Sequence, residues 1–82
     1  MTISITVKFF ALGRELIGKS AVTLDVEEGI SVEQVLTRLQ AEYPSFAKLP
    51  SFVTAVNTRY ADKTIVLKNN DELAIIPPVS GG

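Results

Sequence analysis

The chain has 82 residues, a formal net charge of −1 and neither cysteine nor histidine. This length predicts one domain with one core, and a hydrophobic content of 46% is too high for a disordered chain. The missing thiol and imidazole groups exclude disulfides, thiolate zinc sites and Ser–His or Cys–His catalysis. Any chemistry must therefore use something other than the usual catalytic side chains.

The distribution of charge and hydrophobicity limits the partners and the compartment. The eight cations are scattered, which argues against binding to nucleic acid or to an anionic membrane. The first residues lack the basic region and apolar run of a signal peptide, and no apolar stretch approaches the roughly 20 residues of a membrane span. We therefore expect a cytoplasmic protein with no nucleic-acid or membrane partner.

The first third of the chain predicts two strands joined by a short helix. Residues 2–9 alternate polar and apolar side chains, which is typical of a strand with one buried face. Phe10 interrupts this alternation. Leu12 and Leu16, four residues apart, predict a short helical connection. A second alternating strand follows over residues 22–27.

The central helix has a clear start and a clear end. Ser31 and Gln34 have the spacing of a capping box. Pro44 prevents the helix from continuing past Tyr43. The apolar residues of one helical face are Val32, Val35, Leu36, Leu39 and Tyr43. Such a helix needs one face of a sheet to cover it.

The second half of the chain predicts three further strands and no second long helix. The strands are expected at residues 52–57, 64–67 and 72–76, and Pro77-Pro78 end the last of them. The predicted fold class is therefore α+β, with a mixed sheet of about five strands and one main helix on one face. The β-grasp, or ubiquitin-like, arrangement suits this order best.

We expect residues 1–76 to form the β-grasp domain and residues 77–82 to form an extended functional tail. Two prolines hold this tail extended, and it narrows to bare backbone at Gly81 and Gly82. A frayed terminus is the alternative. The Gly82 carboxylate is ionised at neutral pH, so it becomes reactive only after activation, for example as an acyl-adenylate. An activated glycyl carbonyl can accept an amine or a sulfur atom without any cysteine or histidine on this chain.

Three stretches resemble the small, sulfur-carrier subunit of molybdopterin synthase, the MoaD family. Residues 7–18 (VKFFALGRELIG) are similar to the family's FFA-x-x-REL-x-G stretch. Residues 67–82 (LKNNDELAIIPPVSGG) resemble its D-E-[VL]-A-x-x-P-P-V-[ST]-G-G ending, and residues 55–57 (AVN) resemble one of its strands. The resemblance covers the whole chain.

The resemblance implies a role for the tail and a set of partners. It implies that Gly82 is adenylated by an activating enzyme of the MoeB type, which uses ATP and magnesium, and becomes a thiocarboxylate with sulfur from a donor protein. Gly81 and Gly82 would thread into the large subunit, of the MoaE type, where the sulfur attacks the cyclic pyranopterin monophosphate precursor. Two small and two large subunits are expected in the complex.

The same resemblance implies that this chain binds no cofactor or metal of its own. It would be the sulfur-donor subunit of a sulfurtransferase whose catalytic side chains lie on the large subunit.

An exposed aromatic beside an apolar run suggests a surface for docking the large subunit. The expected interface residues are Phe10, Ile76, Pro77, Pro78, Val79 and Ser80. The alternative for Phe10 is that it enters the core under the turn formed by Leu12 and Leu16.

Three other functions stay open at this point. A thiamine-pathway sulfur carrier would share the fold and the terminal glycines, but the PPVS segment and Phe9-Phe10 argue against it. A ubiquitin-like protein modifier would transfer its carbonyl to lysine, but its tail usually carries basic residues before the glycines. A plain binding module with incidental glycines is the third.

Overall fold

The computed structural model describes residues 1–77. In chain order its elements are β1 (Thr2–Phe9), α1 (Ala11–Ile17), β2 (Ala21–Glu27), α2 (Val32–Glu42), a 3₁₀ helix (Pro44–Lys48), β3 (Val53–Val56), β4 (Arg59–Tyr60) and β5 (Glu72–Ile76). Across the described residues the strands form one five-stranded sheet in the order β2-β1-β5-β3-β4. Strand β5 runs parallel to β1, and the other neighbouring strands are antiparallel. The predicted α+β, β-grasp architecture is confirmed.

Helix α2 covers one face of this sheet. Its buried side chains meet those of the strands in one core, formed mainly by Ile5, Val7, Phe9, Leu24, Val26, Val32, Val35, Leu36, Leu39, Leu73 and Ile75. The 3₁₀ helix adds Phe46 to this core, and its ring packs edge-on against Phe52 with 5.3 Å between ring centroids. Phe46 and Leu49 are both buried, so the segment between α2 and β3 closes one side of the core.

The start of α2 is fully hydrogen-bonded. The predicted capping box is present: Gln34 N–H donates to the Ser31 hydroxyl at 3.3 Å, and Ser31 N–H donates to Gln34 Oε1 at 2.9 Å. The N–H groups of Val32 and Glu33 donate to the carbonyls of residues 65 and 63, at 2.9 and 3.0 Å. These bonds leave no free donors at this helix start for an anion.

The predicted strand at residues 64–67 is wrong, and the fourth strand lies earlier, at Arg59–Tyr60. Asn57 and Thr58 both have positive φ, +50° and +71°, as in the two-residue turns that join antiparallel strands. This turn folds β4 back onto β3. Residues 64–67 instead run past the start of α2, where Val66 forms a single bridge to Ser31.

Helix α2, with 11 residues, is the longest helix described. None of the helices within residues 1–77 has the length and apolar character that a transmembrane span requires.

Candidate functional site

The sheet face that α2 does not cover is called the open face here. Lys8, Ala74, Ala55 and Tyr60 lie in one row across it, because the strand register pairs Lys8 with Ala74, Ala74 with Ala55, and Ala55 with Tyr60. Side chains alternate between the two faces of a strand, so the neighbours of Lys8, Ala74 and Ala55 along their strands face the core. The row ends at β4, on one outer edge of the sheet.

Six apolar residues gather where β5 ends and are called the apolar patch: Phe10, Val53, Ala55, Tyr60, Ala74 and Ile76. Val53 pairs directly with Ile76, and Phe10 follows Phe9, the β1 residue that pairs with Ile75. Phe10, Val53 and Tyr60 are 44%, 47% and 82% exposed. Ala74 and Ile76 are partly exposed, and Ala55 is buried between them and Tyr60. An exposed apolar surface such as that of Phe10, Val53 and Tyr60 is typical of a protein-binding site.

Phe10 is not a core residue. It caps the N-terminus of α1 in an extended conformation, and Ala11 then adopts a φ of +50°. The alternative in which Phe10 fills the core under Leu12 and Leu16 is therefore wrong, since Phe10 and Leu12 are both exposed. The docking role of Phe10 stays a prediction.

A groove of about 460 Å³ runs along the β3–β4 edge and shares Val53 and Tyr60 with the apolar patch. Phe52 and Thr54 line it as well, and the Thr54 hydroxyl donates to the Ala61 carbonyl at 2.7 Å. Val53 and Tyr60 carry no sequence signal of their own for this surface. The turn at residues 57–58 decides which face Tyr60 occupies, and Asn57 was the local signal that could have revealed that turn.

The rim of this groove carries an aspartate with a perturbed pKa. Hydrogen bonds from the Thr64 hydroxyl and from the Thr64 N–H, the latter at 2.8 Å, lower the pKa of Asp62 below its usual value. The carboxyl group is exposed and therefore stays ionised near neutral pH. It stabilises a turn and is poorly suited to act as a general acid.

An ion pair borders the apolar patch. Lys8 Nζ lies 3.2 Å from Glu72 Oε2, and the two side chains are 43% and 37% exposed. Lys8 is next to Ala74 in the register, so the ion pair lies directly beside the apolar patch.

A hydrogen-bond network fixes the start of β5. Asn57 Oδ1 accepts the Glu72 N–H at 3.0 Å, and Asn57 Nδ2 donates to Asp71 Oδ1 at 2.8 Å. Asp71 Oδ2 accepts the Lys68 N–H at 2.8 Å. These bonds tie β5 to the β3–β4 turn.

The tail begins beside both the apolar patch and helix α1. Pro77 directly follows Ile76 of the patch and is half-buried. A Cβ atom added to Gly13 of α1 would lie 4.0 Å from Pro77 Cγ and 3.9 Å from Leu49 Cδ2, so α1 packs closely against the base of the tail. The other predicted tail residues, Pro78, Val79, Ser80, Gly81 and Gly82, lie outside the described residues.

No group of three potential metal ligands occurs within residues 1–77. In that part of the chain the site consists of the apolar patch at the base of the tail, with an ion pair at its border.

Comparisons with known proteins identify the family. The model of the ThiS family matches residues 7–82. The molybdopterin synthase sulfur carrier subunit of Arabidopsis thaliana is 38% identical over 99% of this chain and 85% of its own length.

Two solved structures share the fold. The crystal structure of SAMP1 from Haloferax volcanii is similar with a TM-score of 0.86 and 28% identity, over 96% of this chain and 99% of that one. A chain in the complex of subunits 1 and 2 of molybdopterin-converting factor from Helicobacter pylori matches with a TM-score of 0.72 and 22% identity, over 98% and 100% of the two chains. The chain described here belongs to the ThiS family and to the family of molybdopterin synthase sulfur carrier subunits.

Proposed function

We propose that this chain is the sulfur-carrier subunit of a molybdopterin synthase and carries its sulfur as a thiocarboxylate on Gly82. The observation that carries this proposal is the 38% identity to a molybdopterin synthase sulfur carrier subunit over nearly the whole chain. The absence of cysteine supports it, because a carrier without a thiol must hold sulfur on another group. The fold supports it as well, since β5 leads into the tail beside an exposed apolar patch.

The proposed chemistry takes place on the backbone carboxyl group. A Gly82 carboxylate oxygen attacks the α-phosphate of ATP on an activating enzyme, which forms an acyl-adenylate and releases pyrophosphate. The terminal sulfur of a persulfide on a donor protein then displaces AMP and forms an acyl disulfide. A second thiol cleaves its sulfur–sulfur bond, which leaves the thiocarboxylate on Gly82 and a disulfide on the donor. In the synthase this sulfur attacks a carbon of the pyranopterin precursor and displaces an oxygen substituent from it. Water then hydrolyses the thioester between the Gly82 carbonyl and the sulfur, which leaves the sulfur on the product and restores the carboxylate.

The proposed partner of the open face is the large subunit of the synthase. The Helicobacter pylori complex contains two subunits of a molybdopterin-converting factor, and one of its chains has the present fold. We propose that the large subunit covers Phe10, Val53, Tyr60 and Ile76 while the tail enters its active site. A complex of two small and two large subunits, activation by an enzyme of the MoeB type and a cytoplasmic location belong to the same proposal.

Trapping the terminal sulfur tests the proposal. The chain is incubated with ATP, magnesium, an activating enzyme and a sulfur donor, then treated with a thiol alkylator and analysed by mass spectrometry. Since the chain has no cysteine, an adduct at its C-terminus identifies a thiocarboxylate. A variant lacking Gly82 and a reaction without ATP are the controls. No adduct under conditions that load an established carrier would overturn the proposal.

A second candidate function is protein modification. Its support is the similarity to SAMP1 of Haloferax volcanii, at a TM-score of 0.86, because a related structure from Methanosarcina acetivorans is named small archaeal modifier protein 1 (SAMP1). A modifier would transfer its activated Gly82 carbonyl to a lysine amine. Higher-mass conjugates that contain a Gly82–lysine isopeptide, formed without a sulfur donor, would favour this function over sulfur transfer.

A further inference from the structure

Strand β2 is the longer of the two edge strands in the sheet that residues 1–77 form. It has seven residues, whereas β4 at the opposite edge has two. Two hydrogen bonds at the ends of its pairing with β1 fix the bonding pattern. The Phe9 N–H donates to the Ser20 carbonyl at 2.9 Å, and the Glu28 N–H donates to the Met1 carbonyl at 2.8 Å.

These two bonds decide which peptide groups of β2 point outward. Bonded and non-bonded pairs alternate along an antiparallel ladder, so every second residue of β2 turns its peptide group towards β1. The intervening residues Ala21, Thr23 and Asp25 turn their N–H and C=O groups away from the sheet. A row of such groups on a long edge strand is a template for pairing with another strand.

One of these outward groups is occupied by a side chain of α2. Arg38 Nη1 donates to the Asp25 carbonyl at 2.6 Å, and Arg38 Nε bonds to Glu42 Oε1 at 3.1 Å. The Arg38 and Glu42 side chains are 39% and 41% exposed, so both are partly packed against the surface. We infer that Arg38 is a latch that keeps the β2 edge from pairing with the β2 edge of a second copy of this chain.

The sequence of β2 makes a second copy the partner that fits this edge. In an antiparallel pairing centred on Thr23, that residue faces its own copy, and a Thr–Thr pair is favourable across strands. Ala21 then faces Asp25, and Lys19 is level with the oppositely charged Glu27. No like charges face one another. In this arrangement the Asp25 carbonyl would receive the Ala21 N–H of the other copy, but Arg38 already bonds to that carbonyl.

Substitutions at the latch test this inference. Arg38→Met keeps most of the side-chain stem and removes the donor, so its mass measured by light scattering should double at concentrations where the original chain stays monomeric. Adding Thr23→Pro should return Arg38→Met to a monomer, because the Thr23 N–H points outward and its loss breaks no bond to β1. Glu42→Gln keeps Arg38 but weakens the ion pair that holds it, so the measured mass should rise less than in Arg38→Met. Gln40→Ala, an exposed change on α2, should have no effect.

Each variant is first shown to be folded by its circular dichroism spectrum and its urea unfolding curve. The inference is overturned if Arg38→Met stays monomeric up to millimolar concentration, or if the unsubstituted chain dimerises over the same range. A dimer that survives Thr23→Pro would place the contact on another surface. The test uses the chain alone, without activating enzyme or large subunit, so its outcome is independent of the sulfur-carrier proposal.

Discussion

Replacing Tyr60 with alanine tests whether the large subunit covers the apolar patch. Tyr60 is 82% exposed, and because a fully covered aromatic side chain buries roughly 200 Å², about 160 Å² of it is available to a partner. If the large subunit covers half of this, the loss of about 80 Å² at about 25 cal/mol per Å² amounts to about 2 kcal/mol. The dissociation constant should therefore rise about 30-fold. The contact of Tyr60 with its own chain is small, so folding stability should fall by about 1 kcal/mol or less.

Isothermal titration calorimetry with the large subunit measures this change, and thermal unfolding of the variant alone measures the effect on stability. Val66→Ala is the matched control, since Val66 is 53% exposed and lies beside the start of α2, away from the apolar patch. Tyr60→Phe keeps the ring and should bind nearly as the original chain does. An unchanged dissociation constant for a folded Tyr60→Ala variant would refute the assignment of this surface to the large subunit.

Three further predictions concern stability and ionisation. Gly13→Ala should stabilise the chain by about 1 kcal/mol in urea unfolding, because the new Cβ makes ordinary contacts inside a helix. Gly18→Ala should destabilise the chain by about 1 kcal/mol, because Gly18 has a φ of +82°. If the two alanine variants changed stability equally, this difference in backbone conformation would be contradicted. Thr58→Gly should raise the free energy of unfolding by about 1 kcal/mol, because the β-branched Thr58 is strained at a φ of +71°. A lower free energy of unfolding would contradict this strain. In an NMR titration, Thr64→Ala should raise the pKa of Asp62 towards 3.8, because it removes the hydroxyl bond that lowers it most. Since the pKa of Asp62 is lower in the folded chain, this bond stabilises the chain above about pH 4, and the stabilisation is lost as the pH falls through the folded pKa. An unchanged pKa of Asp62 in Thr64→Ala would show that the Thr64 hydroxyl does not lower it.

Elements with local signals could be predicted from the sequence. Residues 2–9 alternate strictly, and the Ser31–Gln34 capping box marks the start of α2 where the structure has it. These patterns depend on neighbours within a few residues, and one buried face is enough to produce them. The β-grasp arrangement then follows from the order of the strands around α2.

Elements set by distant contacts were missed. The apolar run at residues 64–67 looks like a strand, but it buries only Leu67 and meets the start of α2 through one bridge. The strand at Arg59–Tyr60 has two residues, too few for a visible pattern, and it exists because the preceding turn folds back onto β3. The burial of Phe46 likewise depends on contacts with residues far along the chain.

The tail rests on local sequence signals, whereas most of the apolar patch depends on contacts between distant residues. The extended tail stays a prediction, which rests on local residues alone: two prolines fix φ, and two glycines remove the side chains at its end. The apolar patch could be predicted only at Phe10 and Ile76, which flank the strand ends. Val53 and Tyr60 join it through pairing between strands, and register is not readable from either strand alone.

A single-turnover reaction with labelled sulfur tests the central claim most directly. The chain is loaded at Gly82 with a heavy sulfur isotope, purified, and mixed with the large subunit and the cyclic pyranopterin monophosphate precursor. The sulfur-carrier account predicts that both dithiolene sulfurs of the product carry the label and that two loaded chains return to the carboxylate for each molybdopterin formed. A product without label, or a chain that keeps its sulfur while an established carrier is consumed under the same conditions, would contradict it.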